Sequence, residues 1–327
     1  MEALVDRGFR NIVCFARPSS DVARIDDVIK SRPPRVRIEV FKGNLLVRQD
    51  CEIATQDAAV ILHLAAGTGQ KSYPDAFMNS VVATRNLLEA SLTHASLRRF
   101  VLVSSFTVYS NRQNPRRRIL DETCPLEPHP EINGDAYCFA KVRQEQLVAD
   151  FGKKFGIPYV VVRPGSVYGG GKGEITSRVG LGTFGLFLHM GGSNTIPFTY
   201  VDNCAEAIVL AGLVQGVDGE ALNVVDDDLP SSRQFLRQYK KSVRCFRSLY
   251  IPHAISHALC YLWEKYSQWS QGQLPPAFSI RRWHVEWKKT RYSNAKLKAK
   301  LGWTPKVSTA DGLRRYFQSF GQGERNA

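Results

Sequence analysis

Phe100-Val101-Leu102-Val103-Ser104-Ser105 and, one loop later, Tyr137-Cys138-Phe139-Ala140-Lys141 are the stretches on which the fold turns. The first is a short, uninterrupted apolar run ending in hydroxyls, the pattern of a strand buried on both faces. The second opens a long amphipathic segment and sets a Tyr and a Lys four apart, on one helix face. A free phenol has a pKa of roughly 10, too high for a base at neutral pH, and a nearby ammonium lowers it. A Ser at a neighbouring strand end is placed to hold a carbonyl or alcohol oxygen against that Tyr. Tyr137 and Lys141, with Ser104 or Ser105, are therefore the candidate catalytic residues, suited to moving a proton while a nicotinamide moves a hydride.

Context has to choose among copies of this pattern. Tyr-x-x-x-Lys also occurs at Tyr168/Lys172, Tyr261/Lys265 and Tyr292/Lys296. The 168 copy is filled with glycine and cannot be helical. The 261 and 292 copies lie late in the chain, with no strand ending in Ser before them. Only the 137 copy follows one.

Outward from these stretches the chain alternates. Strands are expected at 11–16, 36–41, 59–66, 100–103 and 159–162, with helices at 73–95 and from Tyr137 to about Phe155. That alternation predicts an α/β fold, a Rossmann-like doubly wound parallel sheet. Residues 1–168 form the nucleotide-binding part. Residues 169–327 form mostly a smaller mixed α/β substrate lid, with 196–212 returning to the sheet and Asp202 as a helix cap. Gly169 to Gly173 read as a flexible lid loop rather than a phosphate cradle, and Pro275-Pro276 as a break.

The 327 residues are 43% hydrophobic, enough for one or two domains, and contain no apolar run of membrane-spanning length. No signal peptide is read at the start. Seven scattered cysteines without a Cys-x-x-Cys argue for reduced thiols in a cytoplasm and against a metal site. Cys138 is read as helix packing. Of the net charge of +14, residues 281–315 supply +9, from eleven Lys/Arg and two Asp/Glu. A solvated face, a site for anionic lipid or nucleic acid, and attraction of anionic ligands compete as readings, the solvated face first and the membrane surface ahead of nucleic acid. Nucleic acid is not expected, since no reader module accompanies the charge.

In order along the chain, Gly43-Asn44-Leu45, Leu64-Ala65-Ala66, Asn79 before Ala83-Thr84-Arg85-Asn86-Leu87, Val103-Ser104-Ser105-Phe106-Thr107, Tyr137/Lys141, Arg163-Pro164-Gly165-Ser166-Val167-Tyr168-Gly169, Phe198-Thr199-Tyr200-Val201-Asp202 and Leu301-Gly302-Trp303 resemble the extended short-chain dehydrogenase/reductase family. Within it, the NAD-dependent epimerase/dehydratase group and its 3β-hydroxysteroid dehydrogenase-like branch are the nearest pattern. The resemblance spans nearly the whole chain. It implies Ser105 as hydrogen-bond donor to the substrate oxygen with Thr107 beside it, Tyr137 as acid/base, and Lys141 as the group that lowers its pKa and holds the nicotinamide ribose. Pro164, Gly165, Ser166 and Val167 would face the carboxamide. Leu64, Ala65, Ala66 and Asn79 would line the ribose side, and Asn44 and Leu45 the adenine. It implies a homodimer through the helices at 73–95 and 137–155.

Two departures matter. Family members open with a strand and a glycine-rich turn that binds pyrophosphate. Here Met1 to Gly8 reads as the second half of the following helix, so the first strand is expected to be missing. A late start is the preferred explanation, and a true truncation would bind dinucleotide poorly. At the end of the next strand, where NAD-preferring members carry an acid, stand Arg17 and Ser19, which suit a 2′-phosphate. NADP(H) is therefore preferred, with NAD(H) the alternative.

The substrate is expected to be a small molecule. Residues 249–263 are apolar at helical spacing, which reads at least as well as a core helix of the lid. They also resemble the segment of the 3β-hydroxysteroid dehydrogenase-like branch that meets lipid or a hydrophobic substrate; with the basic residues downstream, this implies a steroid- or lipid-like alcohol or ketone, or peripheral membrane contact. Nucleotide-sugar epimerisation is the runner-up. Dehydration is disfavoured, because Phe106 and Val108 supply no carboxylate there. A non-catalytic relative with impaired cofactor binding is the third reading.

Overall fold

The computed structural model describes all residues except 32–35, 68–71, 95, 111–118, 171–174, 184, 271–277 and 324–327. Gly171 to Gly173, Lys172 and Pro275-Pro276 lie outside the described residues. Among the described residues thirteen strands follow one another: β1 Asn11–Ala16, β2 Arg37–Lys42, β3 Val60–His63, β4 Arg99–Val103, β5 Ile119–Leu120, β6 Tyr159–Pro164, β7 Ser166–Tyr168, β8 Gly180–Thr183, β9 Leu186–His189, β10 Phe198–Tyr200, β11 Ala221–Val224, β12 Ser248–Tyr250 and β13 Arg291–Tyr292.

A four-stranded sheet in the order β11-β6-β4-β3 is parallel throughout. Phe100, Val101 and Leu102 on β4 are fully buried, as a central strand covered on both faces requires. Their alternation divides the core. Val101, Val160 and Val162 pack with Ala207, Ile208, Leu297 and Trp303 on one face. Phe100, Leu102 and Val161 pack with Leu87, Leu88, Leu147 and Val148 on the other. Helices on both faces make this a doubly wound α/β fold. A second parallel sheet pairs β1 with β2 alone. The position between β1 and β3, where a first strand would stand in such a sheet, is filled by no described strand.

Several expected boundaries move. The strand expected at 59–66 spans only Val60–His63, so Leu64 to Ala66 leave the sheet, the first two of them exposed. The helix expected at 73–95 is three pieces, Tyr73–Ala76, a π-helical turn Phe77–Val82 and Ala83–Ser91. Asp202 does not cap the Val201–Leu213 helix. Tyr200 holds the cap position without a side-chain bond, and Asp202 lies in the first turn. The expected helix from Tyr137 is Ala136–Phe155, capped by Asp135 and stopped by Gly156 at φ 70°.

Val201–Leu213 packs on β3, β4 and β6, while β11 and Trp303 also join the main sheet or its core, so the chain re-enters that layer three times after residue 168. The remaining C-terminal elements carry their own sheet, β12-β9-β8, and an aromatic core that includes Tyr168, Phe235, Tyr239 and Phe317. Among the described residues no helix is long and apolar enough to cross a membrane.

The basic tail is largely neutralised. Arg281 reaches Asp135, Arg282 reaches Glu286, Lys296 and Lys300 share Glu220, Lys298 meets Asp227, Lys306 meets Glu206 and Arg314 meets Asp311. Much of that charge therefore ties the C-terminal segment to the sheet layer.

Candidate active site

Parallel strands present all their carboxyl ends on one edge, and the candidate residues collect there. β4 runs out at Val103, and Ser104 N donates to Val162 O at 2.7 Å, keeping β4 and β6 together to their last residues. Ser105 then caps a single 3₁₀ turn, Phe106–Val108, its hydroxyl accepting from Thr107 N at 3.3 Å. On the facing helix the Asp135 carboxylate accepts from Cys138 N at 2.7 Å, which fixes the first turn and with it Tyr137. The Ser105 side chain lies beside the Tyr137 phenol, near enough to pull its pKa down. One turn on, Lys141 is buried, donates to Val103 O at 2.7 Å, and holds its Nζ 5.9 Å from the Tyr137 ring centre. Cys138 is buried and its Sγ contacts Thr107 O at 3.2 Å, a packing role.

The electrostatics correct one expectation. Burial pushes the Tyr137 phenol up from its ordinary value, the neighbouring Ser105 side chain opposes the rise and Asp135 adds to it; Lys141 does not enter. Burial pushes Lys141 itself down to about 8, with Glu145 opposing. Desolvation disfavours both charged forms and, without a bound ligand, outweighs their mutual attraction across this distance. The phenol therefore carries its proton at neutral pH.

Lys265 also sits 5.9 Å from the Tyr261 ring centre, the same separation as in the 137 copy. Spacing sets that contact wherever a helix forms. Only the 137 copy has a serine hydroxyl against its phenol.

The other candidates fall into two groups. Leu64 and Ala65, just past β3, and Val167, within β7, are exposed; Ala66 and Ser166 are half-buried and Pro164 is buried. Gly165 is pressed so close to Pro197 that a Cβ would meet its carbonyl oxygen at 2.2 Å, so only glycine makes this turn. Asn79 is half-buried and spends its amide on Asp75 O at 2.9 Å, within its own helix. The second group ends the two-stranded sheet: Arg17 and Ser19 are exposed, and Gly43 N bonds to Ala16 O at 2.9 Å, bringing Asn44 alongside them. Asn44 folds on itself, accepting from Leu46 N at 3.0 Å. Leu45 packs into the core, its carbonyl taking the Asn86 amide at 2.9 Å. That last bond links the second group to a helix of the first.

Two buried networks escaped the sequence reading. Beneath Lys141, Thr84 Oγ1 donates to Ser80 O at 2.7 Å and accepts from Gln144 Nε2 at 2.7 Å. It also lies 2.8 Å from His63 Nε2. Because the Thr84 proton is committed to Ser80, His63 must donate through Nε2. Ser80 Oγ in turn accepts from Gly67 N at 2.9 Å and so anchors the Leu64–Gly67 segment. Farther along, Arg163 and Glu145 form a buried double hydrogen bond at 2.9 and 2.5 Å, extended by Tyr109 and Asn223. The available signals were a His inside an apolar strand and a Glu one turn past Lys141, both of which read equally well as surface residues.

An open edge lined by apolar residues beside a hydroxyl–phenol pair and a buried ammonium is what a nicotinamide ribose and ring require, and these residues fit them. Among the described residues no His, Cys, Asp or Glu cluster suits a metal ion.

A family model described as the NAD dependent epimerase/dehydratase family matches residues 1–224. The chain belongs to that family. Among curated relatives of this family member, the Arabidopsis thaliana 3beta-hydroxysteroid-dehydrogenase/decarboxylase isoform 1 is 24% identical over 93% of this chain and 70% of its own length. Isoform 2 is 26% identical over 87% of this chain, which spans about half, 52%, of that relative. Among solved structures, UDP-glucuronic acid 4-epimerase from Bacillus cereus in complex with NAD superimposes with a TM-score of 0.70 at 21% identity, covering 98% of this chain and 94% of that one. This likeness shows that the two chains share the doubly wound α/β fold.

Proposed function

We propose that this chain is an NAD(P)-dependent oxidoreductase that interconverts an alcohol and a ketone on a steroid- or lipid-like small molecule. The observation that carries the reading is the Tyr137 phenol set beside Ser105, one helix turn from a buried Lys141, at the carboxyl edge of the sheet. The bound nicotinamide supplies or accepts the hydride. Ser105 positions the substrate oxygen with Thr107 at its side. Tyr137, protonated at neutral pH, gives its proton to a carbonyl oxygen in reduction and recovers it in oxidation. Lys141 has donors to spare beyond Val103 O and would hold the ribose, drawing nearer the phenol in function than in electrostatic effect here.

Leu64, Ala65, Ala66 and Asn79 would flank the ribose, and Pro164 to Val167 the carboxamide; Asn44 and Leu45 would flank the adenine. Arg17 and Ser19 support NADP(H) over NAD(H), because a guanidinium and a hydroxyl at that strand end suit a phosphate dianion. In this reading residues 1–168 hold the cofactor and 169–327 mostly cover the substrate. The protein pairs through the helices around Phe77 and Phe139, works in a reducing cytoplasm that keeps its seven thiols free, and leaves nucleic acid alone.

A second reading, nucleotide-sugar epimerisation, draws on the similarity to the Bacillus cereus epimerase. Calorimetry with NADPH and NADH comes first, and binding of neither overturns both readings in favour of a non-catalytic relative. With binding established, Tyr137→Phe should leave it intact and lower turnover by about 10²–10⁴-fold. Net reduction of a hydrophobic ketone supports the oxidoreductase. Sugar-nucleotide interconversion without net cofactor turnover supports the epimerase.

A further inference from the structure

The His253–Trp269 helix is built inside out. Its buried residues are small, Ser256, Cys260 and Ser267, while Ile255, Leu259, Leu262, Tyr266 and Trp269 face out at 52, 49, 61, 49 and 78% exposure. The outer five recur at steps of four and three, one continuous stripe. Surface helices of soluble proteins normally turn such a stripe inward. The orientation is held from within: Trp283 Nε1 donates to Ser256 Oγ at 2.9 Å and the Glu264 carboxylate accepts from Ile280 N at 2.7 Å. Lys265 is the sole charged residue among the exposed positions of this helix.

The apolar surface continues. Leu249 and Tyr250 on β12, just before the helix, are exposed. Leu259, Leu262 and Tyr266 also line a cavity of about 380 Å³ with Leu188, Met190 and Phe278, so the stripe borders an apolar hollow. The segment that leads into the helix is basic. Residues 229–263 contain six Arg/Lys and no Asp or Glu. Unlike the basic tail, none of the six is ion-paired among the described residues, and the Arg233 guanidinium lies 5.1 Å over the Tyr250 ring.

We infer that this face rests on the surface of an anionic lipid bilayer, with the His253–Trp269 helix lying in the interfacial plane. Aliphatic side chains enter the acyl boundary, Tyr and Trp occupy the headgroup level, and the cations of that segment meet lipid phosphates and carboxylates. A second copy of the chain fits less well. A two-fold pairing of this stripe would set the same cations against each other. The inference is independent of the redox reading.

The test is vesicle co-sedimentation of the full chain. Wild type should pellet with phosphatidylcholine–phosphatidylserine vesicles, far less with phosphatidylcholine alone, and less again in high salt. Leu262→Glu with Trp269→Glu should lower partitioning at least about tenfold, equivalent to about 1.4 kcal/mol, with unchanged circular dichroism. Leu262→Ser with Trp269→Ser serves if the acidic pair misfolds. Tyr137→Phe should bind like wild type, which separates this result from any failure of the enzymatic reading. Wild type remaining in the supernatant with anionic vesicles, or variants pelleting equally, overturns the inference. So does a lipid-free change of oligomeric state in the double variant, which assigns the face to a second copy.

Discussion

Tyr137 and His63 show how strongly burial governs single residues near this edge. The imidazole of His63 is pushed down to about 3, first by burial and then by the charge of Lys141, so it stays neutral in the fold. The unfolded chain protonates its imidazole near pH 6.5, the ordinary histidine value. The unfolded state therefore binds more protons between that pH and about 3. The linked stability is complete above the unfolded value and is lost progressively as pH falls through this window. His63→Gln should flatten the decline of the chemical-denaturation midpoint between neutral and mildly acid pH. An unchanged slope would assign the acid sensitivity to other groups.

At the scale of elements, the Arg163–Glu145 pair pins the Ala136–Phe155 helix to β6, with both side chains buried. Glu145 also faces Lys141, so the same bond that fixes the helix supports the site. Removing one partner strands a buried charge. Glu145→Gln should cost about 3–5 kcal/mol by denaturant titration, while Arg163→Met with Glu145→Leu should recover much of it. Equal losses in the single and double variants would show that the pair is not the anchor. The π-helical turn Phe77–Val82 belongs here too. It supplies Ser80 O and Ser80 Oγ to the network under His63, a use of irregular helix that apolar periodicity alone does not reveal.

Across the whole molecule, Glu206 joins distant parts of the chain. It lies buried on the Val201–Leu213 helix and accepts from Arg7 near the start and from Lys306 at 2.8 Å near the end. Burial alone would raise its pKa, but these two cations outweigh it and hold the carboxyl below the usual range. Its contribution is therefore full above the ordinary carboxyl pKa and is lost as pH falls through the lowered one. Glu206→Gln should destabilise by about 1–3 kcal/mol at neutral pH, and the difference from wild type should shrink in acid. A constant difference across pH would remove the charge from the account.

Strand and helix existence, their alternation and the placing of Tyr137 and Lys141 on one helix side could be read in the sequence because each depends on local periodicity and short spacing. Uninterrupted Phe100 to Val103 could only be a strand covered on both faces, and a Tyr and Lys four apart on a helix had to share a side. The sequence could not set the energetics of that side. Tyr137 and Lys141 were expected to favour each other's charge, and the packed interior instead penalises both, because desolvation depends on every neighbour and not on the four-residue interval. Nor could it choose the outward face of the His253–Trp269 helix. Apolar residues at helical spacing read as a core stripe, and only the tertiary contacts of Ser256, Cys260 and Ser267 show that the small side faces in. Periodicity defines a stripe, whereas three-dimensional packing decides which way it points.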